Sequence, residues 1–319
     1  GDVIISPAAA LTKIEAAPVN GVYCYSADII YYAQIGDNQY RTLQAAVDAA
    51  HDMTGDITIQ LIRDVTGYTI LHQKAGLNVT IDGQNNKLVG QIFVDGNARA
   101  NGTETLTIKN VQFEGKKTDF YTGTDAFVLV PSLKTSGTPY YTDTYNYAHN
   151  ITIEDCSFTS TDDPNKVVGV KTQSGAGNYN TVIRNSTGSN LHSLAQLVGT
   201  TGGTIENCEV TDHTGSFVNI NGGEGNFTIA GNKFTSSSSE DDNYAVRANG
   251  SSTANITLTG NTFEAPNVLT LGKTTAVTAA TFNVVSGSYE GNLVKTEAAT
   301  GHYAISGGHF SVDLTNAAY

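Results

Sequence analysis

The sequence predicts an all-β fold in which short strands stack coil upon coil, a parallel β-helix, and three observations carry that prediction. An eleven-residue phrase recurs, as in NITIEDCSFTS (150 to 160), NFTIAGNKFTS (226 to 236) and NITLTGNTFEA (255 to 265). Gly, Asn and Asp recur at one place inside it. The composition, with 33 Gly, 16 Tyr, one Met and no Trp in 319 residues, suits strands and tight turns better than helices.

Aligned on their central aliphatic residue, the copies place Ile81, Ile108, Ile153, Ile183, Ile205, Ile229, Leu258, Val284 and Ile305 in one column. The strand before the bend alternates, with Ile151 and Ile153, or Phe227 and Ile229, facing inward and Thr facing outward. Two residues after the aliphatic column stand Gly83, Asn110, Asp155, Asn185, Asn207, Gly231, Gly260, Ser286 and Gly307. Gly, Asn and Asp enter the left-handed backbone region cheaply, so this second column predicts a sharp corner between two strands. Five residues after the aliphatic column come Phe113, Phe158, Val210, Phe234, Phe263, Tyr289 and Phe310, which predicts a second strand with its large side chain inward.

A third strand recurs as KVVGVKT (166 to 172), SFVNING (216 to 222), YAVRANG (244 to 250), NVLTLGK (267 to 273) and NLVKTEA (292 to 298). Three strands make one coil, and coils stacked about 4.8 Å apart let each backbone donor meet the coil above or below. Helical or LxxLxL repeats and four-stranded propeller blades would show other periods, and neither period is present.

The coils are expected to run from 40 to 319, preceded over 1 to 39 by an extended arm and a hairpin turning at Gly36-Asp37-Asn38. A helix over 41 to 52 is expected to cover the first coil, because Leu43, Ala46, Val47 and Ala50 share one face and Thr42 can cap its start. The longest step, from Ile108 to Ile153, contains the Tyr-rich stretch 131 to 150, expected to be a loop whose Tyr140, Tyr141 and Tyr145 stack on sugar rings.

With 30 acidic against 17 basic residues, the net charge of -13 argues against nucleic acid as a partner. No apolar run approaches the roughly 20 residues that span a bilayer. Cys24, Cys156 and Cys208 cannot all pair and form no CxxC pattern, so they are expected to be unpaired, mostly buried thiols without a metal.

The corner column from Gly83 to Gly307 resembles the Asn or Gly bend of the pectate-lyase-like right-handed β-helix superfamily, over roughly residues 40 to 319. That resemblance supplies the handedness. YRTLQAAVDAA (40 to 50) and YAISGGHFSVD (303 to 313) also resemble phrases in repetitive, adhesin-like β-helix proteins displayed on gut-bacterial surfaces. In the superfamily's enzymes the substrate lies along the sheet preceding the bend-bearing pair. Here that implies Lys171, Asn221, Arg247 and Lys295, each expected to point outward after the inward Val170, Ile220, Val246 and Val294, with Asn219 beside them. Such a basic row could hold the carboxylates of an acidic polysaccharide.

Resemblance to polygalacturonase-like hydrolases implies a catalytic series of Asp125, the pair Asp162 and Asp163, and His192 on successive coils. Inverting hydrolysis needs an acid and a base about 6.5 to 9.5 Å apart. The motifs depart from that family: Asn is missing before Asp125, the glycines are missing around His192, and Phe217-Val218-Asn219-Ile220-Asn221 stands where RIK belongs. A polysaccharide lyase would use Ca²⁺ held by carboxylates such as Glu240, Asp241 and Asp242, with Lys171 or Arg247 as base. Without an intact catalytic motif, the favoured expectation is a secreted or cell-surface bacterial module, monomeric and without cofactor, that binds a polysaccharide or surface glycan. A hydrolase or lyase is the alternative, and a structural spacer the third reading.

Overall fold

A computed structural model describes residues 9–13, 25–72, 74–95, 104–120, 124–130, 150–161, 167–172, 180–213, 215–237, 243–273 and 277–315. The repeated phrase forms strand, corner and strand, and the strands of successive copies lie parallel and hydrogen-bonded. This is a parallel β-helix.

The aliphatic column becomes the register of the first sheet. Ile81 pairs with Ile108, Ile108 with Ile153, and so on through Ile183, Ile205, Ile229, Leu258 and Val284 to Ile305. All but the last are buried, each contributing about 1.5 to 3 kcal/mol of apolar burial. The aromatic column pairs in the same way on the second sheet, where Phe113 stacks on Phe158 and Tyr289 on Phe310 with ring centroids 5.0 Å apart. At Gly188 this column has no side chain. Buried Leu191 fills the space, so close that a Cβ on Gly188 would lie 2.8 Å from its Cδ1.

The corner column holds at Asn110, Asp155, Asn185, Asn207, Gly231 and Gly260, which all have φ between 50° and 65°. It shifts at the other three positions. After Gly83 the left-handed residues are Gln84 and Asn85, after Ser286 it is Gly287, and after Gly307 it is Gly308. Gly83 and Gly307 are glycine for a different reason: a Cβ on either would strike the carbonyl of Asn110 or Val285. Ser286 would be strained with positive φ, and the following glycine takes the turn instead.

Immediately after the corner runs an interior polar column. Asn232 accepts from Cys208 N (2.9 Å) and donates to Ile205 O (2.8 Å) and Asn261 Oδ1 (3.0 Å), while Asn261 donates to Ile229 O (2.8 Å). Cys208 and Cys156 occupy the same place one and three coils earlier, with Ser186 between them. Both are free and buried, and burial pushes both thiols up to about 12. Cys24 lies outside the described residues.

The third sheet comprises Ala126–Val130, Val168–Thr172, Ser193–Val198, Ser216–Asn221 and Tyr244–Asn249. The long strands Lys87–Asp95, Asn261–Leu271 and Gly287–Lys295 run through the second and third sheets together, joining them into one hydrogen-bonded sheet.

Both edges of the first coil are covered. The hairpin Ala33–Ile35 and Asn38–Tyr40 lies antiparallel against Gly55–Leu61. The helix Leu43–His51 begins one residue after Thr42, whose hydroxyl accepts from Ala45 N (3.0 Å), and buries Leu43, Ala46, Val47 and Ala50. Its Gln44 amide mimics a missing strand: it accepts from Ile70 N (2.7 Å) and donates to Ile70 O (2.9 Å). Ahead of that hairpin, Ala9–Lys13 pairs antiparallel with Tyr25–Ile29 as a separate two-stranded sheet.

Candidate functional site on the third sheet

Five strands of the third sheet enter with two consecutive core residues: Phe127 and Val128, Leu194 and Ala195, Phe217 and Val218, Ala245 and Val246, and Val268 and Leu269. Alternation resumes after that pair, so the next residue faces outward. Register then lines up Phe93, Leu129, Lys171, Gln196, Asn219, Arg247, Thr270 and Val294 on successive coils. The row changes character along its length. Phe93 and Leu129 form an apolar cluster with Ile70, Ala126 and Val168, separate from the main core, and the next five members are polar.

The Lys171 ammonium donates to both carboxylate oxygens of Asp125, at 2.9 and 2.8 Å. Asp125 stands just before its strand, one coil below, and the two side chains are 33% and 16% exposed for Asp125 and Lys171. On the next coil, Gln196 Nε2 lies 3.3 Å from both His192 Nδ1 and Ser193 Oγ, and the His192 ring is 2.9 Å from the same hydroxyl. Arg247 is only 6% exposed, its guanidinium carbon 3.9 Å above the centre of the Tyr244 ring. That contact is a cation–π pair.

Around Arg247 are polar atoms with nothing to bond. Asn219 Oδ1 and Thr270 Oγ1, its register partners on either side, are buried and have no hydrogen-bond partner among the described residues. The same holds for Asn249 Oδ1, two residues along from Arg247 and in register with Asn221. Thr270 and Asn249 are 9% and 8% exposed. Most buried polar groups in proteins are paired, so three orphans on one outward face form a concentrated deficit.

Several expected site residues fall elsewhere. Lys171, Asn219 and Arg247 do share one row, and Asn221 lies two residues along from Asn219. Lys295 leaves the face. Between Asn267 and Leu269 the neighbouring strand has one residue more than Asn292 and Leu293 provide, so alternation slips by one. Leu293 is therefore the buried residue, Val294 joins the outward row, and Lys295 pairs with the core residue Leu271 at an exposed end. The basic row loses a second charge to the Asp125 pair. Asp162, Asp163, Tyr140, Tyr141, Tyr145 and the acids at 240 to 242 lie outside the described residues. No cluster of three or more His, Cys, Asp or Glu suited to a metal occurs among the described residues.

Gln196, Asn249 and Thr270 escaped the sequence reading, although LAQLV, VRAN and VLTL place each one or three residues after an inward pair. Aligning the third strands on that pair, rather than on their charged residues, would have found them.

The fold and this face define a parallel β-helix with a polar, hydrogen-bond-deficient row on its third sheet. No protein-family model matches the chain, and no curated protein matches it in sequence. Solved structures similar to it include two of the periplasmic alginate epimerase AlgG. A double mutant of that enzyme is 9% identical over 87% of this chain and 90% of its own, with a TM-score of 0.29. The other structure is 9% identical over 83% and 88%, with a TM-score of 0.30.

Proposed function

We propose that the chain is a non-catalytic carbohydrate-binding or adhesive module of an exported, cell-surface protein, and that its ligand lies along the outward row of the third sheet. The observation that carries this reading is the set of unmet polar atoms on Asn219, Asn249 and Thr270 around Arg247. A few convergent polar groups on a rigid scaffold are what fixes a ligand's orientation. The apolar cluster of Phe93 and Leu129 continues the same row but is buried, so the polar members carry the reading. No helix among the described residues is long and apolar enough to cross a membrane.

Binding is favoured over turnover because the described members of the acid series are already engaged. Both Asp125 oxygens accept from Lys171, and the His192 ring contacts Ser193 and Gln196. A general acid needs a carboxyl directed at the glycosidic oxygen.

The test is a panel of plant, host and microbial polysaccharides, with and without Ca²⁺, scored for retention of the protein, for new reducing ends and for unsaturated-product absorbance. Retention without turnover is the expected result. Turnover abolished by Asp125→Ala or Lys171→Ala would replace this reading with a hydrolase or lyase, and no retention on any glycan would favour a spacer.

A further inference from the structure

Resting on that reading, we infer that the row takes a neutral, hydroxyl-rich glycan and discriminates against polyuronates. The inference comes from the sign of its charges and the direction of its unmet hydrogen bonds.

A polyuronate presents a carboxylate on every sugar, so a matching face needs cations that recur along it. This row does not supply them. The Lys171 charge is matched by Asp125, Lys295 is off the face, and Gln196, Asn219 and Thr270 are neutral. Arg247 lies against the Tyr244 ring, and the chain as a whole carries -13, which repels a polyanion.

The unmet atoms point the same way. Asn219 Oδ1 and Asn249 Oδ1 are acceptors, and Thr270 Oγ1 can donate or accept. A carboxylate brings only acceptors and cannot satisfy an amide oxygen, whereas each sugar hydroxyl brings a donor. Register places Asn219, Arg247 and Thr270 on consecutive coils, about 4.8 Å apart, with Asn249 one pleat repeat beyond Arg247. That spacing lies within reach of the hydroxyls of one or two adjoining sugar rings. A polyuronate keeps its ring hydroxyls but carries a carboxylate in place of the primary one, so it offers this face fewer donors per sugar and a charge that meets no recurring cation.

The experiment measures retention of the whole chain on soluble neutral glucan and mannan, and on polygalacturonate and alginate, at low and high salt. The expected result is retention on a neutral glycan, insensitive to salt, and at least about tenfold weaker retention on both polyuronates, tenfold being one strong interaction. Thr270→Val should weaken neutral-glycan binding while leaving the melting temperature unchanged or raised, because it removes an unmet polar atom at nearly constant shape. Asn219→Leu should weaken binding similarly. Salt-sensitive retention on a polyuronate, lost in Arg247→Gln, would overturn the inference and leave the binding reading intact. Retention on no glycan would overturn the binding reading itself. A Thr270→Val protein that melts earlier and binds as well as the parent would assign the hydroxyl a structural role and overturn its part in the site.

Discussion

Lys171 and Asp125, 46 residues apart in sequence, form a two-pronged ion pair between adjacent coils, with the ammonium 2.8 and 2.9 Å from the two carboxylate oxygens. The pair joins a residue expected to be a catalytic acid to one expected to bind a uronate. Each occupies the charged group that the other was expected to present.

Because both side chains retain some solvent contact, the coupling should be modest, about 1 kcal/mol or less. Asp125→Asn and Lys171→Met should each lower the denaturation midpoint slightly, and the double variant should lose less than the sum of the two. A double-mutant cycle by urea denaturation checks this, and strict additivity would mean that the pair contributes nothing.

Asn232 carries a larger share of stability. Its side chain serves Cys208 N, Ile205 O and Asn261 Oδ1 inside a dry stack. Asn232→Leu takes that partner from two backbone groups, at about 1 to 3 kcal/mol for each one left unmet, while Asn261 Oδ1 still accepts from the Asn232 backbone N–H. The expected loss is at least about 2 kcal/mol, read from equilibrium unfolding. Little change would imply that the coils relax to repair the gap.

The thiols should be inert in the folded protein. Burial pushes Cys156 and Cys208 up to about 12 from an ordinary 9.0, and thiol reagents attack the thiolate. In a Cys24→Ser background, an aromatic disulfide reagent at pH 8 should label neither cysteine until denaturant is added. The folded values lie above the unfolded ones, so stability is fully present below about pH 9 and falls as pH rises toward about 12, where the unfolded chain ionises first. Tyr289, also raised to about 12 by burial, acts in the same direction at the top of that window. Thermal melts across alkaline pH test the sign.

At the corner before the last full coil, the structure assigns the backbone requirement to Gly287 rather than to Ser286. Gly287 has φ 133° and a Cβ there would lie 2.5 Å from Asn261 O, whereas Ser286 has no left-handed φ. Gly287→Ala should therefore cost more than the roughly 1 kcal/mol of an ordinary unfavourable backbone substitution, while Ser286→Ala should cost less. Matched melting curves for the two variants decide the point, and the reverse order would restore the sequence column.

The repeated phrase alone determined the coil, its inward columns and most of its corners, because side-chain alternation and left-handed backbone preference act within a few residues. The aliphatic column from Ile81 to Ile305 became the first-sheet register pair for pair. The helix face of Leu43, Ala46, Val47 and Ala50 was equally legible. Tertiary structure alone decided that Asp125 neutralises Lys171, that Val294 displaces Lys295 from the outward row, and that Asn219, Asn249 and Thr270 gather with unmet polar atoms around Arg247. Those outcomes depend on which residue of one coil settles over which residue of the next. Loops of unequal length and a single missing residue set that alignment, and their effect appears only when the coils stack.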